Sequence, residues 1–246
     1  MKTQKIALIT GANRGLGFET AKQLGEQGVT VILGARQLSA ANEAADKLKQ
    51  QGIDAYGIQL DVTNDADRKA AAKQIEEQFG RLDILINNAG VSSKGASLFE
   101  NKTVATTADE FEYVFGINLF SLVYLTNELL PLIKKSDAGR IVNLSSILGS
   151  LTLHSQPDSP IASMKRLAYN ASKTALNVFT NHLAVELEGT NIKVNSAHPG
   201  WVKTDLGSDA APMEIVDGAK TSVELALIGE DGPNGRFIHL GEELPW

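Results

Sequence analysis

The chain has 246 residues, of which 43% are hydrophobic and none is cysteine, so it can bury a large core without staples and carries no disulfide or thiolate metal site. Its 29 acidic and 23 basic residues give a formal charge of -6, which excludes a general electrostatic attraction to nucleic acid or an anionic membrane. No stretch reaches the roughly 18 to 20 uninterrupted apolar residues of a membrane span, and the N-terminus reads as a strand instead of a signal peptide, so a cytoplasmic protein is expected.

The first pattern along the chain is the apolar run Lys5-Ile6-Ala7-Leu8-Ile9-Thr10, followed at once by Gly11-Ala12-Asn13-Arg14-Gly15-Leu16-Gly17. Leu16, Thr20, Leu24 and Val29 then mark the inner side and exit of an amphipathic helix. Strand, glycine turn and helix form the geometry that holds a pyrophosphate. Gly11, Gly15 and Gly17 allow close backbone approach, while Asn13, Arg14 and Leu16 sit at a helix start whose free N–H groups and dipole favour an anion. The spacing Gly-x3-Gly-x-Gly departs from the commonest dinucleotide fingerprint.

Short β-branched runs alternate with longer helical patterns from there on, the signature of βαβ units and a parallel sheet. Seven strands are predicted, over 5–10, 29–34, 55–60, 83–87, 140–145, 192–197 and 235–240, with helices over 15–27, 39–51, 64–79, 107–134, 165–189 and 215–228. No repeat or linker divides the chain, so the fold class is α/β, a doubly wound Rossmann-type sheet in one domain spanning 1–246.

Ligands of such sheets bind at the carboxyl ends of the strands. After the second strand stands Arg36, where a fold preferring a plain ribose carries an acid; Arg suits a 2′-phosphate, and Arg14 can converge on the same group. After the third comes Asp61-Val62, in which Asp61 either accepts from an adenine amino group or caps the helix starting near Asn64. Asn87-Asn88-Ala89-Gly90 follows the fourth, and the small residues around Asn88 and Gly90 let the chain run close beneath an adenosine. Asn118 lies among apolar neighbours in the long 107–134 helix and belongs either to a packing network or to a polar site.

The fifth strand ends in Ser145-Ser146, and the sixth in the rigid turn His198-Pro199-Gly200-Trp201-Val202-Lys203-Thr204, suited to the far end of a dinucleotide. Between them, Tyr169 and Lys173 lie four apart, one above the other on a helix face. A sheltered ammonium lowers the pKa of a neighbouring phenol and makes it a proton donor. His154, His182, His198 and His239 lack ligand spacing, and no metal site is assigned.

Taken in order, Thr10-Gly11-x3-Gly15-x-Gly17, Asp61-Val62, Asn87-Asn88-Ala89-Gly90, Asn118, Ser145-Ser146, Tyr169-x3-Lys173 and Pro199-Gly200 resemble the classical short-chain dehydrogenase/reductase family over essentially the whole chain. Pro199-Gly200-Trp201-Val202, Arg36 and Gly232-Pro233-Asn234-Gly235-Arg236-Phe237 look more specifically like its NADPH-dependent carbonyl reductase branch. The resemblance implies hydride transfer between NADPH/NADP+ and a small-molecule ketone or aldehyde. Tyr169 would be the acid, Lys173 would bind the nicotinamide ribose and lower the Tyr pKa, and Ser146 rather than Ser145 would bond the carbonyl oxygen. Asn118 would support a water connected to Lys173, while Thr204 and the Val202 backbone would meet the carboxamide. Alternatives within the fold are reduction of an acyl-thioester ketone or NAD-dependent alcohol oxidation, and outside catalysis an NADP(H)-binding sensor.

Two stretches depart from the compact family pattern: 151–167, a segment with roughly ten extra residues read as a loop around Pro157 and Pro160, and 91–107. Both lie at the active-site edge, so substrate preference transfers least. The first also precedes a helix through which compact members assemble, and a monomer is expected over a homo-oligomer.

Overall fold

The computed structural model describes residues 4–94 and 103–246. Eight strands form one sheet: β1 (Ile6–Thr10), β2 (Thr30–Ala35), β3 (Ala55–Gln59), β4 (Ile84–Asn87), β5 (Arg140–Leu144), β6 (Lys193–Ala197), β7 (Phe237–His239) and β8 (Glu242–Glu243). Their order is β3-β2-β1-β4-β5-β6-β7-β8, with the first seven strands parallel and β8 antiparallel to β7. The eighth strand corrects the expected count. It consists of two exposed glutamates after the Leu240–Gly241 turn, and so carries no apolar run to announce it.

The helices are α1 (Gly15–Glu26), α2 (Leu38–Lys49), α3 (Asp65–Phe79), α4 (Ala108–Phe115), α5 (Ser121–Ile133), α6 (Leu151–Ser155), α7 (Leu167–Glu186) and α8 (Ile215–Leu227). They cover both faces of the sheet, which is why β1 and β2 are buried at every position and read as unbroken apolar runs. Ile6, Leu8 and Ile32 meet Ile75 of α3, Leu125 and Leu129 of α5 and Leu183 of α7. On the other face Ala7, Ile9, Val31 and Leu33 meet Leu24 of α1, Leu48 of α2 and Leu225 of α8. Truncating one of these fully buried leucines to Ala costs about 2 to 5 kcal/mol, so either layer is essential to the fold.

The predicted 107–134 helix is one rod with a fault in it. A five-residue π turn, Gly116–Phe120, separates α4 from α5 and carries Asn118. A π turn widens the helix by one residue and shifts the side chains after it around the axis, a local change that apolar periodicity alone does not reveal. The rod from Ala108 to Ile133 is long and apolar enough in length and composition to cross a membrane, yet Leu122, Leu125, Leu129 and Leu132 are buried in the core.

The predicted 151–167 loop is also partly helical, because Ser150 Oγ accepts from Leu153 N at 3.1 Å and caps α6. Of the other long stretch, 91–107, residues 95–102 lie outside those described.

The strand order reverses between β1 and β4. The crevice this opens lies beyond their carboxyl ends, at Thr10-Gly11 and Asn87-Asn88.

Candidate active site

At that crevice the glycine loop and the turn after β4 are bonded to each other. Asn88 Nδ2 donates to Thr10 O at 2.7 Å, and the Asn88 N–H donates to Thr10 Oγ1 at 3.0 Å. Gly11 has φ +64°, and a Cβ added at Gly17 would stand 2.5 Å from Asn88 Nδ2 and 2.6 Å from Gly11 O. Glycine is therefore required at both places, in one for its backbone and in the other for its missing side chain. The N-terminus of α1 opens here with no side-chain cap, beside a cleft of about 1410 Å³.

The cleft collects most of the residues singled out from sequence: the glycine loop with Asn13, Arg14 and Leu16, then Arg36, Asp61, Val62, Asn88, Gly90, Tyr169, Lys173, Pro199 and Thr204. Arg36 is exposed and forms no ion pair among the described residues. Arg14 does not turn toward it; Nη2 pairs with Asp205 Oδ2 at 3.1 Å across the cleft mouth. Both partners are more than 70% exposed, so the pair stabilises by about 0 to 1 kcal/mol and is easily exchanged for a ligand anion.

Asp61 is not a helix cap. Asn64 fills that role, its Oδ1 accepting from Ala66 N and Asp67 N, whereas Asp61 Oδ1 accepts from Thr63 N and Thr63 Oγ1 at 2.9 and 2.7 Å. Beside it Arg68 is buried and donates to Val62 O at 2.9 Å, holding the floor of this end of the cleft. Sequence reasoning missed Arg68, since an Arg in an otherwise polar helix reads as a solvated residue.

Asn118, Ser146 and Val202 stand behind the cleft wall. Asn118 is fully buried: Oδ1 accepts from Val91 N at 2.8 Å, and Nδ2 donates to Val91 O at 2.8 Å and Ser172 Oγ at 3.0 Å. Its side chain thus clamps the segment after β4 to α7, which is the packing-network alternative. A Cβ at Gly90 would come within 3.2 Å of Asn118 Oδ1 and 3.7 Å of Lys173 Nζ, so this clamp and the lysine lie directly under Gly90.

The two serines divide. Ser145 Oγ donates to Asn177 Oδ1 at 2.7 Å in the core, while Ser146 Oγ accepts from Leu148 N at 3.2 Å and lies near enough to the Tyr169 phenol to favour its ionised form. Val202 is buried and bridges to Met213, and Gly200, with φ +91°, leaves no space for a Cβ beside Met213 Sδ at 2.6 Å. Thr204 Oγ1 accepts from Gly207 N at 3.1 Å and shapes the segment that continues from this turn.

Lys173 Nζ donates to Leu144 O at 2.7 Å and lies 5.8 Å from the Tyr169 ring centroid. Both side chains are almost wholly buried. Burial brings the Lys173 pKa down to about 8 and pushes the Tyr169 phenol up, with the Ser146 hydrogen bond and the charge of Arg166 opposing that rise. Burial is thus the largest influence on the resting phenol, and Arg166 is a cation that acts against it. Arg166, at the predicted start of the helix and three positions before Tyr169, was legible by spacing but was given no role.

Behind Ser146, buried His198 accepts from Ile147 N and Gly200 N on Nδ1 at 3.3 and 3.4 Å, tying the turn after β5 to that after β6. Burial, with His239 adding to it, lowers its pKa to about 3, so the ring is a neutral acceptor.

Comparison with known proteins agrees with this geometry. The short chain dehydrogenase family model matches residues 5–215. Short-chain dehydrogenase/reductase 1 of Saponaria officinalis is 32% identical, over 99% of this chain and 96% of the relative. Salutaridine reductase from Papaver somniferum superposes with a TM-score of 0.81 at 31% identity, covering 95% of this chain and 99% of that one. NADPH-bound carbonyl reductase from chicken fatty liver gives 0.85 at 27% identity, covering 99% of each. The chain thus belongs to the short-chain dehydrogenase/reductase family, which binds a nicotinamide cofactor, and is an oxidoreductase acting on carbonyl or alcohol groups.

Proposed function

We propose that the protein is an NADPH-dependent carbonyl reductase converting a small ketone or aldehyde to an alcohol, reversibly. The observation that carries this reading is the placement of Tyr169 and Lys173 at one end of a cleft, with Ser146 behind its wall, while the other end presents Arg36, which forms no ion pair among the described residues. A dinucleotide fits the residues present. The Gly11–Gly17 cradle admits close backbone approach, the uncapped start of α1 meets a pyrophosphate, and the Arg36 guanidinium meets a 2′-phosphate by charge-assisted hydrogen bonds. Arg14 reaches the same phosphate by leaving its weak pairing with Asp205. The similarity to an NADPH-bound carbonyl reductase supports that cofactor over NADH.

The bound nicotinamide supplies the hydride. The Ser146 hydroxyl orients the substrate carbonyl oxygen beside the Tyr169 phenol. Tyr169 protonates that oxygen as negative charge develops on it, and accepts the proton in the reverse direction. Lys173, held by Leu144 O, binds the nicotinamide ribose and favours the phenolate that the transfer leaves. Asn118 keeps Val91, and with it Gly90, against the lysine. Thr204 and the Val202 backbone hold the carboxamide.

The test is NADPH oxidation with a panel of aldehydes, diketones and β-ketoesters, using wild type and Tyr169→Phe. At least one class should be turned over by the wild type. The variant should keep NADPH binding and lose at least about 100-fold in the chemical step. Retention of more than about a tenth of turnover, with chemistry rate-limiting, would falsify the donor role.

A further inference from the structure

The segment inserted before Tyr169 has two opposing effects on that residue. Ile161 and Leu148 pack with the tyrosine, Met164 and Leu153 support them, and this apolar cover is why desolvation is the largest influence on the phenol. The end of the same segment brings a charge. Arg166 sets its guanidinium 5.6 Å from the Tyr169 ring centroid, and Nη2 donates to Ser92 O at 3.3 Å in the stretch after β4.

We infer that Arg166 is a positioning residue for Tyr169: it clamps the stretch after β4 to the start of α7 and sets a permanent cation beside the phenol, favouring the phenolate as the proton leaves. This rests on the donor role proposed for Tyr169.

Among the described residues, few titratable or charged groups face the phenol. α7 supplies Arg166 and Lys173, and the turn after β5 supplies the Ser146 hydroxyl. From α4, Glu110 acts on Arg166. His154 of α6 is bonded to Leu148 O and Lys165 Nζ, and burial lowers its pKa; His198 is a neutral acceptor beyond Ser146. The two cations differ in persistence. Lys173, with a pKa of about 8, loses its charge as pH rises through that value, whereas a guanidinium keeps its charge even where burial weakens it. In the alkaline range where the donor is titrated, Arg166 is the cation that remains.

The experiment is the pH dependence of kcat/KM for carbonyl reduction at saturating NADPH in wild type, Arg166→Gln and Arg166→Lys, after Tyr169→Phe has been assayed. Removing the cation makes the phenolate less favourable and raises the phenol pKa. The alkaline limb, where the protonated donor is lost, therefore moves to higher pH, by about one unit in Arg166→Gln. Plateau turnover falls and the NADPH dissociation constant is unchanged; Arg166→Lys, charged near neutral pH but not in the alkaline range, keeps more of the plateau yet moves the limb as Arg166→Gln does.

A role confined to packing lowers turnover or Tm without moving the limb, so an unmoved limb in folded Arg166→Gln overturns the inference, as does an unmoved limb in Arg166→Lys. If Arg166→Gln does not fold, Glu110→Gln reads the coupling from the other side. Removing the carboxylate that partly offsets Arg166 should lower the limb, and a limb that stays or rises overturns the inference. Near-wild-type turnover in Tyr169→Phe instead defeats the donor reading, which keeps the two failures distinct.

Discussion

His198 makes stability depend on pH in a way that one substitution should remove. Its Nδ1 accepts from two backbone N–H groups, Ile147 and Gly200, and its ring lies 4.8 Å from that of His239. Protonation would set a third N–H against those two donors inside a site only 8% exposed. The folded-state pKa is depressed to about 3 from the ordinary 6.5. Below 6.5 the unfolded chain binds a proton that the folded chain does not, so stability is full above that pH and falls as pH drops toward about 3. Each pH unit in that window costs about 1.4 kcal/mol, which makes the loss about 2 kcal/mol between pH 7 and pH 5. His198→Asn keeps an acceptor, Oδ1, near the place of Nδ1 but does not titrate. Urea unfolding at both pH values should show the difference in unfolding free energy between them shrinking by about 2 kcal/mol in the variant, with other titrating groups cancelling in the comparison. An identical pH dependence in wild type and His198→Asn would refute both the neutral state of the ring and its role as acceptor.

Wild type should prefer NADPH over NADH by roughly 30 to 1000-fold, and Arg36→Asp should abolish or invert the preference through weaker NADPH binding, as kinetics with both cofactors will show; equal use by the wild type removes the basis of the argument. Gly17→Ala drives a Cβ into Asn88 Nδ2 and Gly11 O, and should lower stability by about 1 to 3 kcal/mol and weaken dinucleotide binding together. A urea midpoint and NADPH affinity both unchanged would contradict the tight contact described. Light scattering at micromolar concentration should give the 26.3 kDa monomer, and a mass near four times that value would reject it.

Much of this architecture was legible because the sheet is parallel and covered on both faces. Ile6 to Thr10, Thr30 to Ala35 and Ile84 to Asn87 are buried throughout, so each strand shows as an apolar run with its ligand-facing residues just after it. Features set by contacts between distant segments were not legible. Nothing near Asn118 announces a π turn, since the bonds that use its amide come from Val91 and Ser172, 27 and 54 positions away. The pairing of Arg14 with Asp205 across the cleft, 191 positions away, leaves no local mark either. Ser150 before Leu151 was a readable cap signal for α6, outweighed by the prolines that follow. The burial of Tyr169 had the same origin. Its spacing to Lys173 is local, but the apolar cover of Ile161 depends on how an inserted segment folds back.

Burial that raises the phenol pKa suits a donor working near neutral pH. A phenol with a strongly depressed pKa would already have lost its proton before a substrate carbonyl arrived, and could serve only in oxidation. Burial by Leu148 and Ile161 keeps Tyr169 protonated at rest, while Ser146, Arg166 and Lys173 remain around it. Charges act weakly on a neutral phenol and strongly on a phenolate, and more so where water is excluded. Their stabilisation therefore grows as the proton leaves, which lowers the barrier instead of merely shifting the resting state. By this argument the apolar cover and the cations are not in conflict: the cover sets which form waits, and it also strengthens the field that favours the form produced. Opening the cover by Ile161→Ala should thus lower the resting pKa of Tyr169 yet slow reduction, because water then screens Arg166 and Lys173. A pH profile whose alkaline limb falls while plateau turnover also falls would show both effects at once; faster turnover with a lowered limb would show that desolvation only hinders the donor.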